Sequence, residues 1–301
     1  MTPADGPGSP LPSHALPSDA LLASAPFPTA EEAADLRLVV VDMDGTLLDD
    51  DHHVDPSFWP VADELARRGV VLCAASGRQH ATLARIFGPL GDAMVFIAEN
   101  GAHVVRGTTQ VSVDRIDRAV VEQAVRTVRH LAAGGADVGT VLSGSRSAYV
   151  ERHDAAFIAE ADQYYARLEQ VDDLLAVDDD MLKIAVHDTG PVAQSVYPAL
   201  GPLGATHTLV LSGEHWTDLT NKGTHKGAAL ERLQLTLGVT PAQTVAFGDH
   251  LNDLEMLTDA GMSFAMANGH PDVLAAARFR APSNTENGVV RVLAELLRLA
   301  G

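Results

Sequence analysis

The run Val39-Val40-Val41 closes abruptly on Asp42-Met43-Asp44-Gly45, two carboxylates one residue apart at the end of an uninterrupted apolar stretch. So apolar a stretch suits a strand covered on both faces, as in a parallel sheet. Ligands of open α/β sheets gather outside the carboxyl ends of such strands, so Asp42 and Asp44 stand where chemistry is expected. Alternate strand residues point the same way, which lets both acids face one small volume, although Gly45 signals that the chain is already turning. Two carboxylates so close need a cation or a shared proton. Metal-assisted displacement at phosphorus fits: one carboxylate binds Mg2+ and attacks, and the other handles the leaving group's proton. Taken alone, D-x-D-G is more often a strand-end turn with solvated acids.

Three further segments follow in order, each at or after an apolar run. Val70-Val71-Leu72-Cys73-Ala74-Ala75 leads into Ser76-Gly77-Arg78. There Ser76 can donate to a phosphoryl oxygen while Gly77 permits close backbone approach; an ordinary Ser-Gly turn reads the same way. Thr220 to Leu230 carries Lys222 and Lys226 at the entry to a helical pattern. Either can neutralise a phosphate, and residue type alone does not choose between them. Thr244-Val245-Ala246-Phe247-Gly248-Asp249 is another apolar strand with an acid at its tip, followed by His250-Leu251-Asn252-Asp253 at a helix start. Asp249 suits Mg2+, which takes only one or two protein carboxylates. Asp253 can hold a metal-bound water or orient Lys226, or simply supply favourable charge at a helix N-terminus.

These four segments resemble the four motifs of the haloacid dehalogenase-like superfamily, and most closely its Cof-type phosphatases with a large inserted cap. D-x-D-G-T-L is matched by Asp42 to Leu47, the Ser-Gly-Arg motif by Ser76 to Arg78, K-G-x-x-K-G by Lys222 to Gly227, and G-D-x-x-N-D by Gly248 to Asp253. The third match selects Lys226. Glu99-Asn100-Gly101-Ala102 is similar to the segment where these proteins leave the core for the cap, and Glu286 to Val290 to the start of their closing helix. The resemblance implies that Asp42 is the nucleophile and forms an aspartyl-phosphate, with Asp44 as general acid and then base. Dehalogenases of the superfamily lack the second acid, so Asp44 argues for phosphoryl chemistry. Mg2+ is expected on Asp42, the main-chain carbonyl of Asp44, and Asp249. Ser76 and Lys226 are expected to carry phosphoryl oxygens, with Gly77 and Asn252 also at the substrate and Arg78 and Asp253 in support.

The expected fold class is α/β, a doubly wound parallel-sheet (Rossmann-like) core with an inserted α+β cap. A strand is expected near Leu36 to Asp42, a helix near Ser57 to Arg68 and a strand near Val70 to Ala75. The catalytic anchors vanish from about Val104 to Leu209, long enough for a domain. Helical spacing at Asp117 to Ala132 and a strand-like Met181 to Val186 give that insert its α+β character. The core is then 36–103 plus 210–301 and the cap 104–209. A hinged cap excludes water and holds specificity, and its candidate leaving-group contacts are Arg146, Tyr149, Lys183 and His187, chosen by residue type. Residues 1–35, rich in Pro, Ala and Ser without Lys or Arg, read as a disordered tail rather than a secretory signal.

A formal charge of −19 disfavours nucleic acid and anionic membrane as partners and repels anionic substrates at long range. No apolar run approaches a membrane span. The one cysteine, Cys73, lies in an apolar strand and reads as core packing, and a cytoplasmic location follows most simply. The thirteen histidines form no H-E-x-x-H, and His52-His53 reads as surface. The resulting expectation is a Mg2+-dependent phosphatase acting on small phosphorylated metabolites, with sugar phosphates leading. A sugar phosphomutase is the alternative enzyme. A receiver-like signalling module is the alternative of another class, disfavoured by Asp44 and by the hundred-residue insert.

Overall fold

The structure is a computed structural model that describes residues 26–301. It opens with helix α1 (Ala30–Ala34), then β1 (Leu38–Asp42), α2 (Phe58–Arg67), β2 (Val71–Ala75), α3 (His80–Ile86), β3 (Val95–Ala98), β4 (His103–Arg106) and β5 (Thr109–Val113). A second group follows: α4 (Arg118–Ala133), β6 (Val138–Gly144), β7 (Ala148–Val150), α5 (Ala155–Asp162), β8 (Leu168–Gln170), β9 (Met181–Asp188), α6 (Val196–Leu200), β10 (His207–Leu211) and β11 (Trp216–Asn221). The chain ends with α7 (Lys226–Leu237), β12 (Thr244–Gly248), α8 (Leu254–Thr258), β13 (Met262–Met266), α9 (Pro271–Ala276), β14 (Phe279–Ala281) and α10 (Gly288–Leu299).

An eight-stranded sheet runs in the order β14-β13-β12-β1-β2-β3-β4-β5. Strands β14 through β3 pair in parallel, giving the α/β architecture expected. The apolar run behaves as its composition requires. Val39 and Val41 pack on one side with Phe58, Leu65 and the α10 residues Leu293 and Leu296, while Leu38 and Val40 pack on the other with Leu230, Leu233 and Met256. Each fully buried side chain of this kind contributes about 1.5–3 kcal/mol, so β1 is a principal anchor of both layers. The chain winds outward from β1 through β2 and β3, then returns to lay β12 on the other flank of β1. That reversal opens a crevice between the carboxyl ends of β1 and β12.

Strands β4 and β5 join antiparallel. The three-residue turn Glu99–Gly101 between β3 and β4 is too short for a crossover helix. The second sheet has six strands in the order β10-β11-β9-β6-β7-β8. On one face α4 buries Val121, Ala124, Val125 and Val128, recurring at helical spacing, together with Val196 and Leu200 of α6. On the other face α5 packs Phe157 and Ala161 onto Val141, Ala148, Val150 and Ala185, covering only part of it.

Two expectations need correcting. Residues 26–35 belong to the folded body: Thr29 and Glu32 form a reciprocal capping box on α1, and Phe27 meets Phe264 edge-on at 5.7 Å. Residues 1–25, the rest of the expected tail, lie outside the described residues. The expected cap limits, 104 and 209, also do not follow the strand pairing, because β4 and β5 stay in the first sheet and β10 and β11 belong to the second. We therefore place the division near residues 114 and 221, where hydrogen bonds from Asn221 and Thr224 to Asp114 tie the two crossings together. Among the described residues no helix is long and apolar enough to cross a membrane.

Candidate active site

The carboxyl ends of β1, β2 and β12 deliver the acids and the hydroxyl to one crevice. Asp42 is the last residue of β1 and is buried. After it the chain turns through Gly45 at φ +75°, a left-handed conformation that glycine adopts without steric cost. Glycine is also required by space, since a β-carbon there would lie 2.4 Å from Asp249 Oδ2. Thr46 Oγ1 donates to Asp249 Oδ1 at 2.8 Å and Asn268 Nδ2 to the Gly45 carbonyl at 2.7 Å, so the turn and the strand-tip acid hold each other in place.

Lys226 is the first residue of α7, where the helix dipole disfavours a cation, yet it is almost fully buried. Its ammonium donates to Asp42 Oδ1 and, at 2.6 Å, to Asp253 Oδ1. Asp253 turns its other oxygen to the backbone amides of Asp249 and His250, at 3.0 and 3.1 Å. Of the two lysines that residue type left open, Lys226 is the one that meets the strand-tip acid; Lys222 is exposed and donates to the Ala205 carbonyl at 2.6 Å.

Asp42, Asp249 and Asp253 offer carboxylate oxygens within 4.8 Å of one another. Burial and the charges of Asp253 and Asp249 push the Asp42 carboxyl well above its ordinary range, with Lys226 offsetting this in part. Burial also raises Asp249, and Asp253 adds to the effect against the Thr46 hydrogen bond. Desolvation pulls Lys226 down, but Asp42 and Asp253 outweigh it and hold the ammonium above its usual range. One ammonium against three carboxylates, Asp42 and Asp253 buried and Asp249 half-buried, leaves the cluster short of positive charge, the condition a hard divalent cation relieves. Asp253 has both oxygens engaged, so Asp42 and Asp249 are the residues with the capacity to hold such an ion.

Asp44, half-exposed, is not one of these three but lines the same cavity. Arg78 grips it with two donors, Nε at 2.9 Å from Oδ2, and His52 Nδ1 lies 3.2 Å from Oδ1. Ser76 is buried and its Oγ accepts from the Arg78 amide at 3.1 Å. Asn252 Nδ2 donates to Asn100 Oδ1 at 3.1 Å, and a β-carbon on Gly77 would crowd that same Asn100 side chain.

A cavity of about 850 Å³ opens over these groups, between the two sheets. Asp42, Asp44, Ser76, Gly77, Arg78, Asp249 and Asn252 line its floor, whereas Lys226 and Asp253 stand behind Asp42 as its support. Of the four residues named in the cap by type, only Lys183 reaches the cavity. Tyr149 gives its hydroxyl to Asp179, Arg146 pairs with the same acid, and His187 packs against Trp216 with ring centroids 4.9 Å apart. The roof is made instead by Gln163, Tyr164, Tyr165, Trp216 and Asp218, which spacing does not single out. His52, expected at the surface, is exposed but also lines the mouth. Cys73 is buried in β2, where desolvation pushes its thiol far up, as core packing requires.

A model of the haloacid dehalogenase-like hydrolases matches residues 39–293, from β1 into α10. The chain belongs to that family. It is 33% identical over 266 residues to the 5-amino-6-(5-phospho-D-ribitylamino)uracil phosphatase YbjI of Escherichia coli (strain K12), an alignment that takes in 87% of this chain and 97% of the relative. The HMP-PP phosphatase of Cronobacter sakazakii is 29% identical, with 79% of this chain and 87% of that protein aligned. A crystal structure from Eubacterium rectale superposes with a TM-score of 0.80 at 28% identity, covering 87% of this chain and 99% of the other. This haloacid dehalogenase-like hydrolase is a phosphatase, of the Cof-type architecture in which a second sheet is inserted over the catalytic crevice.

Proposed function

We propose that the chain is a Mg2+-dependent phosphatase of small phosphorylated metabolites that works through an aspartyl-phosphate on Asp42, with phosphates of sugars and sugar alcohols as the leading substrates. The observation that carries this reading is Asp42 held against Lys226 and Asp253, with Asp249 at its flank and Asp44 two residues on. Lys226 keeps one Asp42 oxygen fixed, leaving the other to meet phosphorus in line. The bond to phosphorus forms as the ester P–O bond breaks, and Asp44 gives its proton to the departing oxygen. Asp44 then takes a proton from the water that attacks phosphorus, the Asp42–phosphorus link breaks, and inorganic phosphate leaves. Ser76 and the main chain at Gly77 hold phosphoryl oxygens, and Lys226 offsets charge that gathers on Asp42. Mg2+, held by Asp42, Asp249 and the carbonyl of Asp44, would supply the positive charge the cluster lacks.

The substrate class is supported by the cavity, whose size suits a small metabolite and whose roof offers Trp216, Tyr164 and Tyr165 beside polar groups. The Escherichia coli relative is named for a phosphoribityl group on an aminouracil, a sugar-alcohol phosphate with a flat ring. A reducing, cytosolic setting accords with an unpaired, buried Cys73. A panel of phosphorylated metabolites, scored by released phosphate at saturating Mg2+, tests the reading. Sugar and ribityl phosphates are expected at the top, with turnover lost in Asp42→Asn. A flat panel, or activity kept in that variant, would refute it.

A further inference from the structure

The roof of the cavity carries a charge arrangement that the reaction at the floor does not use. Lys183 and Ala185 lie on the same face of β9, and Asp218 of β11 stands across from Ala185, so Lys183 and Asp218 are neighbours on the cavity wall. Among the described residues that the second sheet and its flanks give to the cavity, Lys183 is the cation. It is already committed: its ammonium lies 2.6 Å from Glu99 Oε2, a buried carboxylate reaching up from the end of β3, whose other oxygen accepts from Ser143 Oγ at 2.6 Å. Glu99 holds this position from a left-handed backbone conformation, φ +50°. The Tyr165 ring, 5.5 Å from the ammonium, closes the remaining side. One ammonium therefore faces two carboxylates, and the roof has no positive charge to spare.

The floor and the roof consequently treat anions differently. A phosphoryl group at the floor meets Ser76, Arg78 and the ion that Asp42 and Asp249 would hold, whereas a second phosphate carried by the leaving group would meet Asp218 and an ammonium neutralised from behind. Desolvating that dianion there is not repaid. A neutral leaving group fits: its hydroxyl or N–H groups can donate to Asp218, and a flat ring can lie against Trp216 and Tyr164, whose rings meet edge-on at 5.6 Å.

We propose that Glu99, Lys183 and Asp218 make this enzyme selective for monophosphates with an uncharged leaving group, and that esters bearing a second phosphate are rejected at the roof. This rests on the phosphatase reading above and deepens it, and it disfavours a mutase cycle that depends on a bisphosphate. Matched pairs test it: glucose 6-phosphate against glucose 1,6-bisphosphate, and fructose 6-phosphate against fructose 1,6-bisphosphate. Each pair is compared by kcat/KM and by titration calorimetry on the Mg2+-loaded enzyme. The monophosphate is expected to be favoured by about tenfold or more in each pair, and Asp218→Asn to narrow that preference by about fivefold. Both members are measured on one preparation, so any loss of folded variant cancels in the ratio. A bisphosphate used or bound as well as its partner, equal failure of both members of every pair, or an unchanged ratio in Asp218→Asn overturns the proposal. Failure to hydrolyse any ester, p-nitrophenyl phosphate included, would instead refute the phosphatase reading, and the calorimetric ratios would still decide this one.

Discussion

Lys226 shows how a single residue can be legible and still incomplete in sequence. Two lysines four apart compete for one role, and the motif resemblance selects the second, but not the reason. The reason is burial: Lys226 occupies a helix start where its charge is unfavourable, and only Asp42 and Asp253 make that tolerable. Lys226→Ala is expected to reduce kcat by about a hundredfold or more, because Asp42 loses both its fixed orientation and its charge partner. Lys222→Ala, which gives up one exposed hydrogen bond, should stay within about twofold. Steady-state kinetics on the two variants checks both, and equal losses would mean the third motif is misplaced. The acids at the strand tips were legible because each ends an apolar run. The grip of Arg78 on Asp44 was not, since nothing in spacing says that a side chain 34 residues away will turn back to it. The roof residues Trp216 and Asp218 were hidden for the same reason: specificity contacts depend on how two sheets meet, and no periodicity encodes that.

At the scale of elements, β1, α2, β2, α4 and β9 lie within a residue or two of where hydrophobic pattern puts them, because each buries a face whose period the sequence displays. Helix α1 was obscured by its Pro- and Ala-rich surroundings, although Thr29-x-x-Glu32 is a capping-box pattern that marks its start. The β4–β5 hairpin from Val104 on was assigned to the insert because the recognisable anchors stop at Ala102, whereas sheet pairing continues to Val113. Helix α3 carries a testable consequence of packing. Burial, with smaller contributions from His103 and Arg167, pulls His80 down to about 4, and its ring lies edge-on to Phe96 and His103, at 5.3 and 5.7 Å. A histidine that stays neutral when folded but takes up a proton when unfolded contributes stability present above its unfolded value, about 6.5, and lost as pH falls toward 4. Urea unfolding of the wild type should therefore weaken from pH 6.5 to 4 more steeply than in His80→Gln. Parallel pH profiles would show that His80 titrates alike in both states.

For the whole molecule, the formal charge of −19 sets a field that opposes the substrate, while the cations that receive it are confined to the crevice. Screening should weaken the long-range repulsion and leave the buried ion pairs nearly untouched. With Mg2+ held constant, kcat/KM for a phosphorylated metabolite is expected to rise as monovalent salt goes from about 10 to about 150 mM, over which the Debye length falls from about 30 to about 8 Å. The change should appear in KM rather than kcat. A fall with salt would mean that a positive local field governs capture. The inserted sheet has its purpose here, because ion pairs at the floor gain strength once water is shut out. Gln79 of the first body contributes to that closure through paired hydrogen bonds to the Arg167 main chain, at 3.0 and 2.9 Å.

The central claim is that the phosphoryl group passes over one oxygen of Asp42. Acid quenching of the Mg2+-loaded enzyme during turnover, followed by peptide mass mapping, tests it most directly. The account predicts a phosphoryl adduct on the peptide that carries Asp42, discharged by hydroxylamine as an acyl phosphate is, and absent from Asp42→Asn. An adduct on Ser76 or His52, or an adduct that survives in Asp42→Asn, would contradict it.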